Sequence, residues 1–157
     1  MNTFTSYIKS LFATKKIRRI AFLDGDQPLP GVLSAYHKYV VGTGTDTHLI
    51  RYKRDDHKEP KILKNLDEVN KVYLTGYRTG KEIVDKFIAG SIQQAVSDGY
   101  QHITVISSDY DFIDIFKMAV QINPSASNVS FHIIVPHAQG MMVDTPAQIA
   151  NIEIIKM

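Results

Sequence analysis

The chain has 157 residues, of which 44% are hydrophobic and 22% charged, with no cysteine and a net charge of +2. This composition excludes a disordered chain, a disulfide scaffold and a thiolate zinc site. No apolar run approaches the length of a membrane span, so no membrane partner is expected. The length predicts one domain, residues 1–157, and the absence of cysteine fits a cytoplasmic, reducing location.

The small net charge conceals an uneven distribution along the chain. Residues 1–86 contain 16 Lys and Arg against 10 Asp and Glu, whereas residues 87–157 contain 2 against 6. A basic part beside an acidic part suits a protein that attracts a polyanion and holds cations nearby. A solvated surface without any partner would give the same counts, so charge alone leaves both interpretations open.

The hydrophobic pattern predicts strands that alternate with helices. Strands are expected at Ile20–Leu23, His48–Tyr52, Val69–Thr75, Ile103–Ile106, Val129–Val135 and, at a sheet edge, Ile152–Ile155. Helices are expected at residues 1–16, Val32–Val41, from Thr79 or Gly80 to about Asp98, after Asp111, and as a turn at Pro146–Ala150. The polar segment Lys53–Asp67 is expected to be an exposed excursion. This alternation predicts an α/β fold with a mostly parallel sheet and helices on both faces.

The most informative stretch follows the apolar run Ile103–Ile106. Two serines lead into Asp109 and Asp111, and a helical pattern begins there. Open α/β sheets bind ligands at the carboxyl ends of their strands, and two neighbouring acids can bind a hard divalent cation. Asp111 can also be interpreted as the N-cap of the following helix, with Asp114 completing a capping box. That alternative leaves Asp109 without a role.

The first predicted strand also ends in acids, Asp24 and Asp26. In a parallel sheet these would lie at the same edge as Asp109. One of the two can instead be a turn residue that hydrogen-bonds its own backbone ahead of Pro28.

A further acid, Asp85, lies on the long predicted helix. Its position falls inside the edge of the apolar stripe, which comprises Val84, Phe87, Ile88, Ile92, Ala95 and Val96. A carboxylate facing the core is costly unless a partner or a metal compensates it. A salt bridge to Lys81, one turn earlier, would stabilise the helix only weakly. We therefore favour Asp85 as an acid that faces the site.

Three segments together resemble the NYN domain, a family of PIN-like nucleases. They are Asp24-Gly-Asp-Gln27, Gly80-Lys-Glu-Ile-Val-Asp85 and Ser107-Ser-Asp-Tyr-Asp-Phe112. The resemblance covers about Arg19 to Met157. It implies a Rossmann-like three-layer α/β/α sandwich, and a metal-dependent endoribonuclease that hydrolyses RNA phosphodiester bonds.

The resemblance also implies roles for particular residues. Four acids would be the catalytic residues and would hold Mg²⁺ or Mn²⁺, and two polar residues would support them: Asp24, Asp85, Asp109 and Asp111, with Ser107 and Gln27. Gln27 stands where the family commonly has Asn, and Ser91 stands where many members have a second helix acid. Tyr110 and Ser108 replace small residues beside the aspartates.

The substrate is expected to be single-stranded RNA. Basic residues of the first half would contact its phosphates; they are Arg18, Arg19, Arg51, Lys53, Arg54, Arg78 and Lys81. Arg78 and Lys81 are the best candidates because they lead into the helix of Asp85. Tyr77 and Tyr110 could stack an unpaired base, although both could equally pack at the rim.

Other functions stay open at this point. One alternative is an RNA-binding module on the same fold with weakened catalysis, consistent with Ser91 and Gln27. Another is a Mg²⁺-dependent phosphatase with Asp24 as nucleophile, which the absence of a threonine-bearing turn and the position of Asp85 disfavour. A homo-oligomer or a protein partner is also open.

Overall fold

The computed structural model describes residues 17–52, 59–74, 83–136 and 151–157. The helices predicted at residues 1–16 and Pro146–Ala150 lie outside these ranges. Within the described ranges six strands form one sheet: β1 (Arg19–Asp24), β2 (Asp46–Tyr52), β3 (Val69–Leu74), β4 (His102–Ile106), β5 (Ser130–Val135) and β6 (Ile152–Lys156). Every pairing between neighbouring strands is parallel.

The strand order is β3-β2-β1-β4-β5-β6. The chain thus builds outward from β1 in one direction and then from β4 in the other. The order reverses between β1 and β4, and in doubly wound sheets this reversal opens a crevice at the carboxyl ends of the strands. The predicted α/β, Rossmann-like class is confirmed, and β6 lies at the sheet edge as expected.

The described helices cover both faces of the sheet. They are α1 (Leu29–Tyr39), α2 (Ile83–Ser97) and α3 (Asp111–Ile122). Side chains alternate along a strand, so β1 sends Ala21 and Leu23 to the face of α1, and Phe22 to the face of α2 and α3. Two apolar cores result, one on each side of the sheet, and they complete the three-layer sandwich. No helix within the described ranges is long and apolar enough to cross a membrane.

Two boundaries differ from the predicted ones for physical reasons. The helix α1 starts at Leu29, before the predicted Val32, because Pro30 suits the first helical turn, where a missing N–H costs nothing. Phe87, predicted to be in the buried stripe of α2, is 40% exposed. It lies at the margin of the buried stripe, which Val84, Ile88 and Ile92 define.

The described part of the predicted exposed excursion is mostly exposed, and the prediction is wrong at two leucines. A short 3₁₀ helix, Lys61–Leu63, inserts Leu63 into the core on the α1 side, where it is fully buried. Leu66 is buried in the same core, at 8% exposure. In the sequence these two leucines are surrounded by charged residues, so the hydrophobic pattern does not predict that they are buried.

A network of side chains fixes the amino-terminal edge of the sheet. The Arg18 guanidinium lies 4.2 Å from the centre of the Tyr100 ring and donates to the Asp98 carbonyl oxygen. The Tyr100 hydroxyl donates to Asp46 Oδ2 at 2.7 Å. These contacts tie the starts of β1, β2 and β4 together, at the opposite end from the predicted acids.

Replacing Leu63 by alanine should lower the free energy of unfolding by about 2–5 kcal/mol, because the side chain is fully buried and leaves a cavity. The matched control is Ile62→Ala, since its neighbour in sequence is 44% exposed and should change stability little. Urea unfolding of the two variants makes the comparison. Equal losses would contradict the placement of this segment in the core.

Candidate functional site

A tight turn places Asp24 at the end of β1, where only 1% of the residue is exposed. The Gly25 N–H donates to the Ile50 carbonyl oxygen at 2.8 Å. A Cβ at Gly25 would lie 2.5 Å from that oxygen and 2.7 Å from Arg51 Cβ, so a larger residue does not fit. The turn also brings the Asp26 N–H to 3.1 Å from Asp24 Oδ1.

The fully buried Ser107 joins the ends of β1 and β4. Its hydroxyl donates to Asp24 Oδ2 at 2.6 Å, and its oxygen accepts the Asp109 N–H at 3.1 Å. Parallel pairing of Leu23 with Ile106 brings these two strand ends side by side. One hydroxyl therefore positions both an aspartate side chain and the backbone of the next aspartate.

Asp109 organises the start of α3. Its Oδ1 accepts the Asp111 N–H at 2.9 Å, as aspartates do when they cap a turn two residues ahead. Asp111 is the first residue of the helix and is exposed, and the N-cap is Tyr110, with no side-chain cap hydrogen bond. The N-cap interpretation of Asp111 is therefore wrong, and the backbone-capping role belongs to Asp109.

Asp85 reaches this group from the first turn of α2. Burial, a hydrogen bond with Asp109 and the charges of Asp24, Asp109 and Asp26 together raise the pKa of Asp85 to about 8. At neutral pH Asp85 is therefore largely protonated and can donate to Asp109. The alternative partner Lys81 lies outside the described residues.

The pKa of Asp24 is also raised. Burial is the largest cause, and the charges of Asp26 and Asp109 act in the same direction. The hydrogen bonds from Ser107 and the Asp26 backbone oppose this shift. We call Asp24, Asp85 and Asp109 the acid cluster. Their carboxyl groups interact electrostatically at the switch point of the sheet, which is the place between β1 and β4 where the strand order reverses.

The acid cluster offers only oxygen ligands, which suits Mg²⁺ or Mn²⁺. Among the described residues, however, no group of three or more His, Asp or Glu has the arrangement needed to hold a metal ion. Asp85 and Asp109 are joined by a hydrogen bond instead. Carboxylate oxygens are suitable ligands for a hard cation. In this structure, however, Asp85 and Asp109 share a proton through their hydrogen bond.

The remaining predicted residues lie in different places. The Gln27 N–H donates to the Asp24 carbonyl oxygen at 3.3 Å, within the turn after β1. Tyr110 is half-buried and packs against the core of α2 and α3, which favours the packing alternative for this side chain. Tyr77, Arg78 and Lys81 lie outside the described residues, as do Lys53 and Arg54.

The predicted set of phosphate-contacting basic residues needs one correction. Arg18 and Arg19 lie at the start of β1, at the edge opposite to the acid cluster, and Arg18 is engaged with Tyr100. Arg51 lies near the end of β2, where its Cβ is close to the Gly25 backbone. Asp26, conversely, was not among the predicted site residues, yet its charge acts on both Asp24 and Asp85. The sequence did place it beside Asp24 at the end of the first strand.

Comparison with known proteins supports the fold alone. No protein-family model matches the chain, and no curated protein matches its sequence. A crystal structure of a protein of unknown function from Vibrio parahaemolyticus RIMD 2210633 is similar, with a TM-score of 0.52 and 13% identity over 92% of this chain and 96% of that chain. The resemblance to the NYN domain stays a prediction.

The raised pKa of Asp85 predicts a pH-dependent stability. Its folded pKa of about 8 exceeds the value near 3.9 expected in the unfolded chain, so the folded state binds the extra proton between these pH values. Stability should therefore fall as pH rises through that window, and Asp85→Asn should flatten the dependence. Because Asp85 is only half-buried and water screens its charge, the loss should be on the order of 1 kcal/mol.

Urea unfolding at about pH 5 and pH 8.5 measures this difference. The control is Asp114→Asn, an exposed acid in the first turn of α3. A wild-type slope that Asp85→Asn leaves unchanged would show that Asp85 does not titrate as described.

Proposed function

We propose that this chain is a metal-dependent endoribonuclease that uses Mg²⁺ or Mn²⁺ to hydrolyse phosphodiester bonds in single-stranded RNA. The observation that carries the proposal is the acid cluster, in which three carboxyl groups meet at the switch point of a parallel sheet. Such a crevice is where doubly wound folds bind ligands.

The electrostatics of the cluster support a functional role over a structural one. A structural ion pair would lower the pKa of an aspartate, whereas the pKa values of Asp24 and Asp85 are both raised. The charges that shift the pKa values of Asp24 and Asp85 are those of neighbouring aspartates, which are all negative. Concentrated negative charge in a crevice favours a bound cation.

The proposed role of each site residue follows from its position. Asp24, Asp85 and Asp109 would hold the cation, and the exposed Asp111 carboxylate would face the substrate side of the site. Ser107 is a positioning residue, because it fixes the Asp24 side chain and the Asp109 backbone at once. A bound divalent ion would supply an activated water and stabilise charge on the phosphate.

A second candidate is an RNA-binding module with weakened catalysis. It is favoured by the finding that no described group of three acids is set to hold a metal ion, and by Ser91 in place of a further helix acid. The phosphatase alternative gains less support. A phosphate ester needs more access to a nucleophile than a small cation needs to a ligand, and Asp24 is almost completely buried.

The decisive variant is Asp109→Asn, assayed on labelled single-stranded RNA with Mn²⁺ and with a chelator. Wild-type protein should cleave only with the metal. The variant should lose at least about 100-fold in rate, because a metal ion contributes several kcal/mol of charge stabilisation that needs a charged ligand.

Asp114→Asn, exposed on the same helix, is the matched control and should retain activity. Cleavage that persists in chelator, or that survives Asp109→Asn, would contradict the proposed mechanism. RNA binding without any cleavage would instead identify the binding module.

A further inference from the structure

A cavity of about 160 Å³ lies at the amino-terminal edge of the sheet, on the face that α1 covers. Strands β1, β4 and β5 line it with four polar residues, Arg19, His102, Thr104 and His132. Tyr39, the last residue of α1, and the loop that follows it also line the cavity. We call this the histidine cavity. None of the described residues that line it is acidic.

The pairing of the strands explains why these polar side chains meet. Arg19 pairs in register with His102, and Thr104 pairs in register with His132. Residues paired in this way on parallel strands point to the same face of the sheet. The two imidazole rings are stacked, with centres 6.0 Å apart and an angle of 10° between their planes. Three groups that can carry positive charge therefore share one small cavity.

The charge around the histidine cavity is mainly positive. The pKa of His102 is lowered, first by burial and then by the charges of Arg19 and His132. Lys38 Nζ lies 5.1 Å from the centre of the Tyr39 ring, so a further cation lies near the cavity. Positive groups brought together in this way disfavour one another's charge, and a bound anion would compensate them.

Glu153 brings a carboxylate to this group without lining the cavity. It pairs in register with His132, its Oε2 lies 3.2 Å from His132 Nδ1, and its side chain is 64% exposed. A carboxylate on Nδ1 orients an imidazole and leaves Nε2 as the nitrogen that can bind a ligand. The charges of Arg19 and Lys38 outweigh that of Glu153 even when both histidines are neutral.

The end of α1 opposes an anion, because the last carbonyl groups of a helix carry a partial negative charge. Thr43 reduces this effect, since its hydroxyl and its N–H donate to the Val40 carbonyl oxygen at 2.5 and 3.2 Å. The partial charge of a helix end is about half an elementary charge, which is smaller than the combined charge of Arg19 and Lys38. The balance at the cavity therefore stays positive.

The size of the cavity limits the ligand. Its volume corresponds to about five water molecules at roughly 30 Å³ each, which suits an ion of the size of phosphate. The planar guanidinium of an arginine matches two oxygens of a phosphate group, and a protonated imidazole donates to a third. The Thr104 hydroxyl adds a neutral polar group to the same site.

From this arrangement we infer that the histidine cavity binds a small oxyanion of the size of phosphate. Free inorganic phosphate and the terminal phosphate of a nucleotide share this chemistry and are the two possible sources. The inference does not depend on the proposed nuclease function, because the cavity and the acid cluster lie at opposite edges of the sheet. Arg19 and Asp24, at the two ends of β1, are five residues apart, which corresponds to about 16 Å.

The test is a pH titration of the histidine side chains by NMR, with inorganic phosphate and, at the same ionic strength, with sodium chloride. Phosphate should raise the pKa of His102, because a bound anion stabilises the protonated imidazole. Phosphate affinity should accordingly fall as pH rises through the range in which the histidines lose their protons.

Three variants separate the site from general charge effects. Arg19→Gln should weaken phosphate binding about tenfold or more, because it removes a charged hydrogen-bond donor from the cavity. Arg18→Gln is the matched control: it removes the same charge beside Tyr100, on the α2 side, and should leave the affinity near the wild-type value. Glu153→Gln should strengthen binding, because it removes the carboxylate that competes for His132.

If Arg19→Gln does not fold, as judged by circular dichroism, His102→Gln replaces it and should weaken binding and reduce its dependence on pH. Adenosine 5′-monophosphate and adenosine distinguish the sources of the anion. Tighter binding of the monophosphate than of inorganic phosphate identifies a nucleotide, and the reverse identifies the free ion.

Three results would overturn the site. They are histidine pKa values that phosphate changes no more than chloride does, equal losses of affinity in Arg19→Gln and Arg18→Gln, and adenosine that binds as tightly as its monophosphate.

Discussion

The hydrogen bond from the Ser107 hydroxyl to Asp24 Oδ2, at 2.6 Å and fully buried, is the contact on which the site depends. It joins the ends of β1 and β4, the two strands between which the sheet reverses its order. The same oxygen accepts the Asp109 N–H, so one side chain positions both the Asp24 carboxyl group and the Asp109 backbone. Asp85 then enters this group from α2 and shares a hydrogen bond with Asp109. Burial of like charges is costly, and the raised pKa values show that cost.

Much of the fold follows from local sequence patterns. Short β-branched runs predicted all six strands, and the alternation with helices predicted a parallel sheet with two covered faces. Parallel strands end at one edge, so the meeting of Asp24 with Asp109 also follows from the order of elements. Asp85 was recognisable because a carboxylate inside an apolar stripe is out of place.

Other features depend on contacts that one segment alone cannot show. Leu63 is buried because the 3₁₀ turn folds under α1, although charged residues surround it in sequence. Phe87 is 40% exposed because it lies at the margin of the buried stripe of α2, not within it. The division of roles between Asp109 and Asp111 is decided by the path of the loop before α3, where Asp109 accepts the Asp111 N–H. Arg18 lies far from the acids because the N-terminal end of β1 is at the opposite edge of the sheet.

The most direct test of the acid cluster is a pH titration of its carboxyl carbons by ¹³C NMR, on wild-type protein and on Asp24→Asn. The account predicts that Asp85 titrates near pH 8 in the wild type, and that its pKa falls when the charge of Asp24 is removed. An Asp85 carboxyl group that titrates near its ordinary value of about 3.9, unaffected by Asp24→Asn, would show that the three acids do not form one coupled site.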